Sequence, residues 1–206
     1  MASEIVIVDY GMGNLNSVLR AMNRMKVNCI VSSKSEDILN SEKIILPGVG
    51  HFQKAMLNLQ ELGLIDVLHE VALNQRKPIL GICLGMQLMT SYSEEGNCDG
   101  LGWFDANLTK FVTSNQLKYK IPHMGWNQIS ICKPSSLMKD ITDKSEFYFV
   151  HSYRLRMADG GDILNETDYE ELFPSAIEKD NLFGVQYHPE KSHDVGAQLL
   201  RNFISL

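Results

Sequence analysis

An apolar run interrupted by one Gly-x-Cys-x-Gly restricts this chain more than any other stretch. Lys77-Pro78-Ile79-Leu80-Gly81-Ile82-Cys83-Leu84-Gly85-Met86-Gln87 begins with strand-forming residues, and a helical pattern takes over from Leu84 to Met89. Such a junction needs a sharp strand-to-helix turn, and glycines on both sides of Cys83 remove side chains that would collide in it. The turn then holds the cysteine in strained backbone at the tip of a sheet, as a nucleophile elbow holds a serine. The positive end of the following helix favours the thiolate. A free thiol with a pKa of about 8.5 is only a few per cent ionised at neutral pH, so this help matters. Taken alone, the stretch fits equally well a buried core cysteine beside two helix-packing glycines.

Around this junction the chain alternates strands and helices. Strands are predicted at Glu4–Val8, Val27–Val31, Lys43–Leu46 and Leu182–Tyr187. Helices are predicted from the Asp9–Asn14 turn to about Met25, at Ser35–Ser41 with Ser35 as the cap, and at Phe52–Glu61, Leu64–Asn74 and Asp194–Ile204. That order implies a doubly wound α/β sheet, mostly parallel, in a single domain over residues 1–206. Ligands of such sheets lie beyond the carboxyl ends of the strands, where both Cys83 and the Pro47–Gly50 loop fall. After a polar loop at Glu94–Gly102, strand-like segments at Trp103–Val112, Trp126–Ile131 and Glu146–Arg156 follow without long helices between them. They predict an added antiparallel or mixed section.

Composition narrows the function. A net charge of −6 and a pI near 5.5 argue against a nucleic-acid partner. No basic cluster, signal-like leader or long apolar span points to a membrane, and the reading is of a cytoplasmic protein. Cys29, Cys83, Cys98 and Cys132 lie far apart, as in a reducing compartment. No metal is expected, because the histidines lack ligand spacing. No dinucleotide cofactor is expected either: Gly11-x-Gly13 is followed by Asn16 where a third glycine would stand.

A second constellation complements the elbow. His188-Pro189-Glu190 follows an apolar strand, and proline keeps the chain extended, so positions two apart share a side. A histidine base and an orienting carboxylate can then act from one short segment: Cys83 attacks, His188 carries the proton, Glu190 fixes the imidazole. By itself the segment also reads as a surface turn with solvated charges.

Together these stretches resemble the class I (triad) glutamine amidotransferases. The match is closer to the family of glutaminase subunits of imidazole glycerol phosphate synthase, in histidine biosynthesis. Its marks are Asp9-Tyr10-Gly11-Met12-Gly13-Asn14, Pro47-Gly48-Val49-Gly50, Pro122-His123-Met124-Gly125-Trp126-Asn127, His151-Ser152-Tyr153 and Gln186-Tyr187-His188-Pro189-Glu190-Lys191-Ser192. The resemblance implies hydrolysis of L-glutamine through a thioester on Cys83. It also implies ammonia transfer to a (β/α)8-barrel cyclase subunit in a heterodimer. The amide N–H of Leu84 and the Gly48–Val49 region would stabilise the oxyanion. Gln87, Glu95, Ser152 and Tyr153 would hold glutamine. Asn14, His123, Met124, Trp126, Asn127 and Lys191 would face the partner, His123–Asn127 as an irregular polar segment, with core packing of Trp126 as the alternative.

Two segments depart from the pattern: Asn16 with His51-Phe52-Gln53-Lys54, and Arg154–Gly161. They leave open a related glutaminase that feeds a synthase of amidino-sugar surface polysaccharides. Rivals of another kind are a redox-sensing or binding protein on the same scaffold, and a cysteine peptidase. The glycine loop further predicts a peptide that flips between disabled and donating orientations, with low activity until the partner is loaded. On that reading Gly48→Pro impairs stimulation more than folding.

Overall fold

The computed structural model describes residues 5–206 apart from 116 and 158. Met1–Glu4, including the predicted start of the first strand and any leader, lie outside the described residues. In chain order, β1 (Ile5–Val8) leads to α1 (Leu15–Arg24), β2 (Cys29–Ser32), α2 (Ser35–Asn40), β3 (Lys43–Gly48), α3 (Phe52–Glu61) and α4 (Leu64–His69). A π-helical turn at Glu70–Asn74 completes α4, and β4 (Ile79–Cys83) and α5 (Leu84–Leu88) form the elbow. The added section comprises β5 (Thr90–Ser93), β6 (Cys98–Asp99), β7 (Phe104–Lys110), β8 (His123–Gln128), β9 (Ser130–Ile131), β10 (Glu146–His151) and β11 (Tyr153–Met157). β12 (Ile163–Tyr169), β13 (Glu171–Lys179), β14 (Leu182–Val185) and α6 (His193–Ile204) close the chain.

The main sheet has the order β2-β1-β3-β4-β14-β13-β12-β9. Its first five strands pair in parallel and its last three run antiparallel. Side chains alternate along each parallel strand, which is the physical basis of double winding. Val6, Val8, Ile44, Leu46 and Ile79 meet Ile38, Phe52, Leu59 and Leu68 from α2, α3 and α4. Ile5, Ile7, Ile45, Leu80 and Ile82 meet Val18, Met22, Leu199 and Phe203 from α1 and α6 on the other face. A two-stranded β8–β10 sheet and a four-stranded β11-β7-β5-β6 sheet form the added section.

Several sequence expectations need correction. β3 runs two residues beyond Leu46: Pro47 pairs with Ile82 and Gly48 with Cys83. Pairing of β1 with β3 ends at Ile45, so the N–H that Pro47 lacks is not missed by that neighbour. The cap of α2 is Lys34, without a side-chain bond, while Ser32 Oγ accepts from the Lys34 N–H and donates to Asp37. His123–Gln128 is a regular strand rather than an irregular segment, paired with β10 from Gln128–Glu146 to His123–His151. β12 and β13 were not foreseen; their acidic residues and Pro174 break the apolar pattern. α5 stops at Leu88, one residue early, because the chain turns directly into β5.

Candidate active site

Cys83 ends β4 with φ 54° and ψ −109°, outside the region ordinary residues occupy, and its side chain is almost wholly buried. Strain of this kind costs about 1–3 kcal/mol and persists only where the surroundings impose it. Here close packing imposes it. A Cβ on Gly85 would lie 1.6 Å from the Leu46 carbonyl oxygen, so α5 presses directly on β3. A Cβ on Gly48 would lie 2.2 Å from the Tyr10 hydroxyl and 2.8 Å from Leu84 Cβ. Any side chain at 48 therefore disturbs the fold itself, which corrects the expectation that Gly48→Pro spares folding. With only five residues, α5 brings a short dipole to Cys83, and direct donors carry more of the burden.

β14 lies beside β4 in parallel register, Val185 opposite Ile82, so the chain just past β14 arrives next to Cys83. His188 Nδ1 lies 2.8 Å from Glu190 Oε1, and both side chains are 2% exposed. The pairing is made differently from the extended chain expected. Pro189–Lys191 is a 3-10 turn with proline at its start, a position that needs no N–H, and the turn folds Glu190 back onto the imidazole. Two further bonds hold the turn: the His188 N–H donates to Tyr148 O at 2.9 Å, and Ser192 Oγ–H donates to His188 O at 2.7 Å. The Tyr148 N–H donates in turn to Ser192 Oγ at 3.0 Å, a clamp that the sequence reading did not assign.

Burial alone would push the His188 pKa down. The negative charge of Cys83 and then the bond and charge of Glu190 outweigh it and raise the value to about 9. Nε2 of His188 and Oε2 of Glu190 are buried without a hydrogen-bond partner among the described residues. Because the folded pKa lies above the unfolded one, protonated His188 contributes stability that is complete below about pH 6.5. That contribution is lost as the pH rises through about 9. The melting temperature of the wild type is expected to fall across this window more steeply than that of His188→Asn. Parallel curves in a pH series of thermal melts would remove this assignment.

A cavity of about 270 Å³ opens in front of Cys83, lined by Val49, Gly50, Leu84, Gln87, Glu95, Pro122, Val150, His151, Ser152 and Tyr153. It is near the small end of ligand pockets, which run from roughly 300 Å³ upward. Six expected residues thus converge with Cys83: Val49, Leu84, Gln87, Glu95, Ser152 and Tyr153. Gly48 lies just behind, in register with Cys83. One oxygen of Glu95 accepts the Phe52 N–H at 2.8 Å, tying the 94–97 loop to the first turn of α3. Burial and then the charges of Glu95 and Glu94 push the Tyr153 phenol up, so its hydroxyl stays protonated.

The expected partner residues divide. Alternation along β8 turns Met124 and Trp126 outward, 61% and 46% exposed, so core packing of Trp126 is excluded. Trp126 stacks on His193 with ring centroids 5.0 Å apart. The same alternation turns His123 inward, which corrects its expected place at the surface: it is buried, with Nδ1 2.9 Å from His151 Nε2. Asn127 also turns toward His123, and its amide donates to Asp168 O at 2.9 Å. Lys191 lies over the Tyr148 ring, while Asn14 is exposed and its side chain accepts from the Ser17 N–H at the start of α1. Arg154, in a departing segment, is buried and pairs with Glu171 at 2.8 Å.

A strained cysteine facing a histidine–carboxylate pair across a parallel sheet is the arrangement of a thiol acyl-transfer enzyme. The family model for class-I glutamine amidotransferases matches residues 6–206. Solved structures share the fold. A GMP synthase subunit protein from Thermoplasma acidophilum has a TM-score of 0.73 at 19% identity, covering 100% of this chain and 94% of that one. A structure described as a glutamine amidotransferase has a TM-score of 0.76 at 16% identity, covering 97% of each chain. Sequence relatives are more specific. Imidazole glycerol phosphate synthase subunit HisH 2 of Methanococcus maripaludis is 48% identical, covering 97% of this chain and 98% of that protein. HisH 2 of Pseudomonas aeruginosa is 46% identical (98% and 99% covered), and HisH 1 of Campylobacter jejuni strain RM1221 is 44% identical (98% and 100% covered). The chain belongs to the class-I glutamine amidotransferases, in the branch of the imidazole glycerol phosphate synthase HisH subunits, and is an enzyme with glutaminase activity.

Proposed function

We propose that this chain hydrolyses L-glutamine with Cys83, His188 and Glu190 and passes the ammonia to the cyclase subunit of an imidazole glycerol phosphate synthase. The observation that carries the reading is Cys83 at φ 54°, at the floor of a cavity and beside the buried His188–Glu190 pair. The Cys83 thiolate attacks the side-chain carbonyl carbon of glutamine, forming a C–S bond and an oxyanion. The amide N–H of Leu84 and the Gly48–Val49 peptide donate to that oxygen. His188 gives its proton to the leaving nitrogen, the C–N bond breaks, and ammonia departs from a thioester. Water then loses a proton to His188 and attacks the thioester, which releases glutamate and restores the thiolate. Gln87, Glu95, Ser152 and Tyr153 hold the amino-acid end of the substrate, Glu95 with the carboxylate oxygen not bound to Phe52.

An apolar rim supports a partner at the cavity mouth. Ile121 and Val49, each 37% exposed, join Met124, Trp126 and Pro122, and two of these residues also line the cavity. A (β/α)8-barrel subunit seated there in a heterodimer, with Asn14 and Lys191 at its edge, would cover the mouth and receive ammonia away from water. The chain runs in a single domain over its 206 residues, and its setting is the cytoplasm. Gly50, at φ 117°, gives the oxyanion loop backbone freedom to reorient. Glutamate release is therefore expected to be slow for the isolated chain and to rise about 5–150-fold with a ligand-loaded cyclase, the span of ordinary coupling energies. Equal rates with and without that partner would dismiss the gating.

A second reading has one observation in its favour. Several relatives carry copy numbers, HisH 1 or HisH 2, so the branch includes organisms with more than one such protein. A copy that serves a different synthase, such as one building an amidino sugar, would release glutamate dependent on Cys83 but ignore the cyclase.

A further inference from the structure

Gln186 has no role in the chemistry above, yet it is fully buried within reach of the reacting sulfur. Its N–H continues the β14 ladder by donating to Ser175 O at 2.8 Å, which fixes the backbone one residue past the strand. Its side-chain Nε2 lies 3.6 Å from Cys83 Sγ, and its Oε1 accepts from Gln87 Nε2 at 2.9 Å. Burying an amide is costly unless its polar atoms find partners. Two glutamines here satisfy one another in a fixed sense: Gln87 occupies the Gln186 oxygen, so the Gln186 N–H groups point to the sulfur. The other contact of the sulfur, to Val150 O at 3.9 Å, uses a thiol proton and is lost on ionisation. His188 Nε2 makes no hydrogen bond in this state.

We infer that Gln186 is a positioning residue that donates a hydrogen bond to the Cys83 thiolate, with Gln87 holding its amide in the donating orientation. The inference rests on Cys83 being the nucleophile proposed above. It adds that Gln87, which lines the cavity, joins the substrate pocket to the sulfur through a second side chain. A neutral donor suits this position. It favours the anion and holds the sulfur on the cavity side without consuming the proton that His188 must deliver.

The test is alkylation of Cys83 by iodoacetamide, followed by mass spectrometry of the Cys83 peptide across a pH series. It needs neither glutamine nor a partner. Gln186→Met is expected to slow alkylation about tenfold at pH 7, the effect of one hydrogen bond to a charged group. The gap should close at alkaline pH, where the thiol ionises without help, a convergence that a merely structural role would not produce. Gln87→Met should act in the same direction by about threefold, and the double variant should be no slower than Gln186→Met alone. Wild-type alkylation at every pH in a folded Gln186→Met protein overturns the inference. If that variant does not fold, wild-type alkylation in Gln87→Met overturns it instead. Glutamate release by the unmodified protein with the loaded cyclase separately tests the glutaminase reading.

Discussion

Cys83→Ala is expected to abolish glutamate release, with a fall of about 10⁴-fold or more, while leaving the fold intact. The magnitude follows from the loss of covalent catalysis: without a nucleophile, only binding and oxyanion donors remain. The fold should survive because the strain at position 83 comes from its neighbours. Gly85 and Gly48 let α5, β3 and Tyr10 close around the elbow, and alanine accepts the same backbone at a similar cost. A control separates the lost chemistry from lost assembly. Added ammonium salts should still support the cyclase reaction in a complex with Cys83→Ala, because that reaction needs ammonia and not the thiol. Wild-type release by Cys83→Ala, measured as glutamate formed per enzyme, would sink the assignment of the nucleophile.

How much of this site could be read in advance depended on how local its determinants are. The elbow was legible because glycine, cysteine and glycine sit within five residues, and the flanking strand and helix patterns meet there. The parallel core was legible for a similar reason: Ile5–Val8 and Ile79–Cys83 are buried on both faces and read as continuous apolar runs. His188 and Glu190 were placed together correctly by spacing, although a proline-started turn brings them into contact instead of an extended chain.

What was not legible is long-range or two-faced. The Gln87–Gln186 bond spans 99 residues, and nothing local tells a buried glutamine from an exposed one. His123 looked like a surface residue because its neighbours Met124 and Trp126 belong to the rim. Only the pairing of β8 with β10 decides that 123 turns in and 124 turns out. β12 and β13 escaped detection because Glu166, Asp168, Glu171 and Glu178 punctuate them. Several of those charges find local partners once the hairpin forms, Glu171 with both Arg154 and Arg156 at 2.8 Å.

Glu190→Gln should lower kcat about 10²–10⁴-fold and leave KM nearly unchanged. Glu190 does not line the substrate cavity, so ground-state binding has little to lose. Its bond to His188 Nδ1 is 2.8 Å long and almost fully withdrawn from water, where a charged acceptor counts for most. A carboxamide of the same shape keeps a hydrogen bond but not the charge that supports the imidazolium. With Glu190 neutral, the His188 pKa should drop from about 9, because one of the contributions opposing desolvation is gone. The alkaline limb of the rate profile marks loss of the proton His188 must give to the leaving nitrogen, so it should move to lower pH. The fall in kcat and the displaced limb test the charge together. A kcat within about threefold of wild type, with the limb unmoved, would reduce Glu190 to a brace for the Pro189–Lys191 turn and leave His188 to act in this cavity without an orienting carboxylate.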